Sequence, residues 1–306
     1  MHTEDFISLS NDAVKEIVKR EGPAVCTCPI NGTRRWFTLE HANTDYEDIE
    51  AGYLSTVAQA YVDLFKLFFD HGITYLLVPS FGPDLLERGE DYLKLAVEGF
   101  SRLTYHPLFL DFYTAYHVQV HFYGDYEKYF SGTEYAHLID QFDNLTQKTA
   151  NHKAHQLFFG LFAHDASETV ARFAIDFYKQ NKRVPHRAEI VQAYYGINVP
   201  PVDIFIGFDK FSSFDMPLVA TGMEDLYFTV SPTLYMNQEQ FRRILYDHIY
   251  SRRNETDYAQ MGHEGWQHMR DFYHNNHGNT LGIGTIVNGI WYPLPQVQSN
   301  HSKEKT

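Results

Sequence analysis

The sequence predicts an α/β protein built on a mostly parallel six-stranded sheet with helices on both faces. Two observations carry that expectation. Six short runs of apolar, β-branched and aromatic residues recur along the chain, and the segments between them place apolar residues at three- and four-residue spacing, the period of amphipathic helices. Strands that alternate with helices build parallel sheets covered on both sides. With 306 residues, the chain is long enough to bury a full core in one large domain.

The elements follow in order. Ala24–Pro29 is the first strand. Tyr46–Asp70 is a helix whose apolar face is Ile49, Tyr53, Val57, Tyr61, Leu64, Phe65 and Phe68, ended by His71-Gly72 as a glycine C-cap. Ile73–Val78 is a strand, Asp84–Arg102 a helix, His117–Tyr123 a strand and Thr133–Ala150 a helix. Gln156–Ala163 is a strand, followed by helices at Ala166–Asn181 and Arg187–Tyr195. Strands at Val202–Phe208 and Leu226–Val230 and a helix at Gln238–Arg252 complete the series. The polar, His-rich stretch Asn254–Gly278 reads as a surface excursion. Leu281–Tyr292 reads as a hairpin that closes a cavity or meets a second copy. One domain is expected over residues 1–295, with a frayed polar tail at 296–306.

Composition narrows the function. Lys and Arg total 25 against 39 Asp and Glu, a net charge of −14 without a basic run, which excludes duplex nucleic acid as a natural partner. No apolar run approaches the length of a membrane span and no secretory leader is visible at the amino end. Only Cys26 and Cys28 are present, two apart on one strand face, so neither a disulfide nor a structural zinc is expected and a reducing cytoplasm is the simplest setting. Aromatic residues make up 16% of the chain, with 22 Tyr and 24 Phe, which favours a large apolar cavity with polar-tipped walls.

In parallel sheets, ligands bind beyond the carboxyl ends of the strands. The segments there are 31–35, 80–82, 124–125, 164–165, 207–209 and 231–232. Asn31-Gly32-Thr33-Arg34-Arg35 stands out, because turn N–H groups and guanidinium forks suit a phosphate or diphosphate. A capped turn with two solvated arginines has the same spacing. Tyr46, Tyr53, Tyr61, Tyr92 and Tyr105 read as core packing or as a pocket whose rings stabilise a carbocation and whose phenols position water. His263-Glu264 and His268 resemble a zinc-protease helix, but histidines five apart do not share a helical face. Glycine-rich nucleotide loops and a serine-hydrolase elbow are absent.

Several segments together resemble the tuberculosinol synthase family, which comprises tuberculosinyl adenosine transferases and related diterpene alcohol synthases. They are residues 31–37 around Arg34-Arg35, His71-Gly72-Ile73, residues 85–92 ending in Tyr92, Phe122–Asp125, Asp203–Phe208, Leu226–Val230, Arg242–Tyr250 and Gly289-Ile290-Trp291. The matches run over nearly the whole chain. The family resembles cis-prenyltransferases in fold. Where chain-elongating members of that fold carry an arginine-led loop for a second diphosphate, this chain has Gly207–Phe214, so the resemblance implies one allylic diphosphate and no chain extension.

By that resemblance, Gly32, Thr33, Arg34 and Arg35 hold the leaving diphosphate, and Tyr53 and Tyr92 line the reacting end and orient water. Asn31 stands where the family has aspartate; an amide cannot be a general base and is a weaker Mg²⁺ ligand than a carboxylate. The expected metal site is Asp225 with Asn31 as a neutral partner, holding Mg²⁺. The expected reaction is ionisation of a bicyclic allylic diterpenyl diphosphate and capture of the cation by water as a tertiary alcohol. The alternatives are transfer to a nucleoside and a non-catalytic diphosphate-binding partner chain. A homodimer is expected.

Overall fold

The computed structural model describes residues 1–41, 44, 46, 48–253 and 258–293, with the side chains of residues 84 and 85 excepted. The predicted polar tail, 296–306, lies outside the described residues. Six parallel strands form one sheet in the order β3-β4-β2-β1-β5-β6: β1 is Val25–Thr27, β2 Tyr75–Phe81, β3 Val118–Tyr123, β4 His155–Leu161, β5 Ile204–Phe208 and β6 Asp225–Thr229. Each overlaps its predicted run. A separate antiparallel pair, β7 (Gly284–Val287) and β8 (Ile290–Pro293), is the predicted late hairpin.

The helices are α1 Thr3–Ile7, α2 Asn11–Glu21, α3 Thr33–His41, α4 Ile49–Asp70, α5 Glu90–Tyr105, α6 Pro107–Ala115, α7 Tyr126–Phe130, α8 His137–Thr149, α9 Ser167–Asn181, α10 Arg187–Tyr195, α11 Gln238–Tyr246 and α12 His263–Asn276. Helix α4 starts where the Asp48 carboxylate accepts from the Glu50 and Ala51 N–H groups, satisfying two orphan donors of the first turn. It ends at His71 followed by Gly72, whose φ of +96° only glycine adopts without strain.

Alternation along the strands splits the core. Leu76 and Val78 of β2 and Leu157, Phe159 and Leu161 of β4 face a thick layer made by α4, α5, α6, α8 and α11. Leu77 of β2, Phe158 of β4 and Phe205 of β5 face a thinner layer, in which α10 contributes Val191, Tyr194 and Tyr195 and coil contributes Val199, Met216 and Val219. Both faces are covered, but unequally. Helix α9 buries no residue, so on the second face coil does much of the covering that the sequence assigned to helices.

Other local differences have identifiable causes. The predicted helix over Asp84–Arg102 divides into a 3₁₀ stretch, Pro83–Arg88, and α5, because Gly89 sits at φ +93° between them. The predicted helix over Gln238–Arg252 changes at Asp247 into a π-turn, Asp247–Ser251. The Asn254–Gly278 excursion contains α12, which buries no residue although Trp266, Met269, Phe272 and Tyr273 follow a helical spacing among its polar residues and histidines.

The amino end is built into the core. Buried Arg242 of α11 donates to the Ile7 and Leu9 carbonyls at 2.5 and 2.6 Å, to Asn11 Oδ1 at 2.6 Å and to His71 Nε2 at 3.0 Å. His71 in turn donates from Nδ1 to the Leu67 carbonyl at 2.8 Å, which fixes a neutral ring.

Burial, as the main cause, holds His71 and His121 below the usual imidazole range and pushes His155, stacked on Phe69 at 4.3 Å, down to about 4. In the unfolded chain these rings take up protons near pH ~6.5, while the folded chain resists. Their contribution to stability is therefore complete above that pH and is lost as pH falls towards about 4. The urea midpoint is expected to be lower at pH 5 than at pH 7.5, as circular dichroism will show.

Candidate active site

The carboxyl ends of β1, β2, β4 and β5 converge on an open polar cleft of about 560 Å³, lined by Asn31, Gly32, Ser80, Arg88, His164 and Asp209 among others. Below Ser80 and Phe81, which line both spaces, a narrow apolar cleft of about 140 Å³ runs between α4 and α5, walled by Tyr53, Val57, Tyr61, Tyr92, Phe100 and Phe159. Polar mouth and apolar throat meet at Ser80 and Phe81. That division suits an amphiphile with a charged head and an apolar body.

The mouth is organised around the start of α3. Asn31 N–H donates to Thr233 Oγ1 at 3.2 Å, the Thr233 N–H donates to the Asn31 carbonyl at 3.2 Å, and the Thr233 hydroxyl donates to the Pro29 carbonyl at 3.1 Å. Gly32 has φ +76°, and a Cβ there would stand 2.9 Å from both the Phe208 ring and Pro232. No other residue fits the turn. Thr33 Oγ1 donates to the Ile30 carbonyl at 3.2 Å and lies 3.4 Å from Tyr61 Oη, tying the first turn of α3 to α4. The glycine-containing turn expected at 31–35 continues into a helix: Asn31 and Gly32 line the mouth, and the first turn of α3, with its dipole, begins directly after them.

Arg34 and Arg35 are exposed on that first turn. The Arg34 guanidinium lies 4.5 Å from the Tyr92 ring centroid, and Arg88 lies over the same ring at 5.3 Å. Two cations sharing one ring repel each other, and an anion between them relieves the repulsion. Arg35 packs over Phe208 at 5.3 Å and pairs with Asp209, Nη1 to Oδ2, at 3.7 Å. Tyr53 packs edge-on against Phe37 of α3 at 5.1 Å. Burial raises the Tyr53 phenol well above its ordinary range, helped by Tyr61 and Tyr92 and opposed by Arg34, and burial likewise raises Tyr61. Both are O–H donors at neutral pH.

The structure thus brings together Asn31, Gly32, Thr33, Arg34, Arg35, Tyr53 and Tyr92, and it leaves Asp225 out. Asp225 is the first residue of β6, at the amino edge of a parallel sheet, about 13 Å of strand from the edge that carries the mouth. Its carboxylate accepts from His248 Nδ1 at 2.7 Å and Arg252 Nη1 at 3.0 Å, and Arg253 donates to His248 Nε2 at 3.0 Å. It is a structural anchor of the π-turn. The expected Asp225–Asn31 metal pair is therefore corrected. Among the described residues, no three His, Cys, Asp or Glu side chains converge on a metal-sized space.

Two residues of the mouth were not singled out from sequence. Asp209 belongs to one of the post-strand segments, and Arg88 to one of the segments that carry the resemblance. Their roles are visible only once β5 and the 3₁₀ stretch are placed beside α3.

A parallel six-stranded sheet in this order, covered by helices on both faces, is a cis-prenyltransferase-like fold. Two solved structures share it: lavandulyl diphosphate synthase from Lavandula x intermedia, in complex with dimethylallyl diphosphate, at TM-score 0.61 and 14% identity over 81% of this chain and 100% of that one; and a probable undecaprenyl diphosphate synthase from Campylobacter jejuni, at TM-score 0.54 and 14% identity over 76% and 97%. No family model matches the chain. It is 40% identical over 292 residues, 94% of this chain and 97% of the other, to tuberculosinyl adenosine transferase of Mycobacterium tuberculosis, and 23% identical over 284 residues, 90% and 91%, to (+)-kolavelool synthase of Herpetosiphon aurantiacus. The chain belongs to the tuberculosinol synthase family.

Because Asp225 anchors β6 and does not face the mouth, Asp225→Asn is expected to cost about 1.5–3 kcal/mol of stability, the range for hydrogen bonds to charged groups. Its turnover should keep the wild-type dependence on Mg²⁺. Thermal melts and a metal titration check both halves.

Proposed function

We propose that this chain ionises a bicyclic allylic diterpenyl diphosphate and delivers the cation to a nucleophile seated in the polar mouth, a purine nucleoside before water. The observation that carries the reading is the start of α3, with Arg34 and Arg35, set at the mouth of an apolar throat. The hydrocarbon body fills the throat, and the diphosphate meets the α3 N–H groups, Arg34, Arg35 and Arg88. Negative charge grows on the diphosphate as the C–O bond breaks, so these donors bind the transition state more tightly than the ground state. The ring faces of Tyr53 and Tyr92 stabilise the cation, and their hydroxyls offer hydrogen bonds to the incoming nucleophile.

The sequence alone placed water first. The 40% likeness to an adenosine transferase over almost the whole length, and a mouth far larger than one water needs, support the nucleoside. Water capture remains the second reading on the strength of the kolavelool synthase relative. No observation favours a non-catalytic partner chain.

Mg²⁺ binds few protein groups and completes its shell with phosphate oxygens and water. The Asn31 amide, which makes no side-chain hydrogen bond among the described residues, fits such an ion as its one protein contact. When bound, the ion neutralises the leaving diphosphate. Exposed Leu226 and Val230 at the β6 edge and Ile286, Ile290 and Tyr292 on the β7–β8 hairpin support a homodimer. Among the described residues no helix is long and apolar enough to cross a membrane. The unbridged, buried Cys26 and Cys28 support a reducing cytoplasm.

The test is incubation of the purified protein with geranylgeranyl diphosphate and a panel of bicyclic diterpenyl diphosphates, with Mg²⁺ or EDTA and with or without adenosine, with products identified by mass spectrometry. One bicyclic diphosphate is expected to give a metal-dependent adenosine adduct. Arg34→Ala and Arg35→Ala are each expected to lower kcat by about 10²–10³, the loss seen when one donor to a developing oxyanion is removed. Release of no diphosphate from any substrate would refute the reading.

A further inference from the structure

Asp209, like Lys210 and Asp215, is a charged group of the mouth that the proposed ionisation does not use, and it alone faces Arg35. It follows β5 at φ +71°, a left-handed conformation uncommon for a side chain with a Cβ, and its N–H donates to the Thr229 carbonyl at 3.2 Å. The backbone is therefore pinned to the end of β6. Its side chain, only 20% exposed, faces Arg35 at 3.7 Å, an ion pair too long to be a hydrogen bond. Among the described residues no donor occupies its carboxylate oxygens. Arg35 of α3 faces it, and Arg88 of the 3₁₀ stretch, His164 after β4, Lys210, Asp215 and the neutral Asn31 line the same cleft.

A carboxylate only accepts hydrogen bonds, and so does a diphosphate, so Asp209 cannot hold the leaving group directly. Arg35 can serve only one of them fully. Once Arg35 turns to the diphosphate, a half-buried carboxylate is left without its cation, and it needs a donor. The group that arrives there with N–H or O–H hydrogens to donate, beside the resident Arg88, His164 and Lys210, is the nucleophile.

We propose that Asp209 is the acceptor-binding residue: freed from Arg35 by the diphosphate, it accepts hydrogen bonds from the amino or ribose hydroxyl groups of a nucleoside and sets that nucleoside against the cation. The assignment rests on the reading given under Proposed function. The allylic C–O bond breaks with its electron pair on the diphosphate, and a lone pair of the nucleophile forms the new bond. Where the attacking atom carries a hydrogen, that proton passes to the Asp209 carboxylate and then to solvent. The same pair orders the two substrates, because the acceptor site opens only after Arg35 has been drawn away.

The experiment compares wild type, Asp209→Asn and Asp209→Glu with the bicyclic diphosphate that wild type turns over, Mg²⁺ and adenosine, reading the ratio of adduct to alcohol and olefin within each reaction. Calorimetry measures adenosine binding with and without inorganic pyrophosphate. Asp209→Asn is expected to raise the KM for adenosine and to cut the adduct share by at least about tenfold, the worth of a hydrogen bond to a charged group. Asp209→Glu should recover part of that share, and pyrophosphate should tighten adenosine binding in wild type but not in Asp209→Asn. An unchanged adduct share, or a change confined to the KM for diphosphate or to the Mg²⁺ requirement, overturns the assignment. A wild type that forms alcohol and never the adduct refutes the nucleoside acceptor alone. Asp209 is then decided by the ratio of alcohol to olefin, an unchanged ratio overturning its role and a fall supporting it. A wild type that releases no diphosphate refutes the function, and this assignment with it.

Discussion

Thr233 carries the geometry of the mouth. Its hydroxyl and backbone N–H make three hydrogen bonds with Pro29 and Asn31, more than 200 residues earlier in the chain, and the side chain is almost fully buried. These bonds join the exits of β1 and β6 at one edge of the sheet. They dictate where the chain turns at Gly32 and so where α3 begins. The direction of the α3 dipole, the reach of Arg34 and Arg35 and the contact of Thr33 with Tyr61 all follow from that turn. A parallel sheet delivers its strand ends to one side, and this link decides what the chain does on arriving there.

The strands were legible because buried parallel strands are short, continuous apolar runs between polar breaks, and all six were located within a few residues. The long helices α4 and α8 were legible from their apolar spacing. Helices α1, α2 and α6 were not: α2 buries only Val14 and Val18, and α6 opens with Pro107 in its first turn, where proline starts a helix although it reads as a breaker. Helix α3 hid behind a glycine that signals a turn and says nothing about what comes next.

For the site, the resemblance supplied the arginines and tyrosines that the structure brings together. It failed at Asp225 because a position along a strand is not a position in space. Asp225 and Asp209 flank neighbouring strands of the same sheet, yet one lies at its amino edge and the other at its carboxyl edge. Only strand direction and register tell them apart. Arg88 was hidden for a related reason: its contact with Tyr92 depends on the break at Gly89, which swings the 3₁₀ stretch towards α3.

The buried guanidinium of Arg242 gives the first eleven residues an importance their position in the chain does not suggest. Ile7 and Leu9 lend it their carbonyls, Asn11 its amide oxygen, and Met1 adds its own carbonyl to the Tyr246 hydroxyl at 2.9 Å. The Ile7, Leu9 and Asn11 oxygens solvate a cation that, among the described residues, pairs with no carboxylate. Shortening the chain from the amino end is thus equivalent to stripping the solvation shell from an ion inside the protein, and in this fold the amino-terminal segment is part of the core's electrostatics.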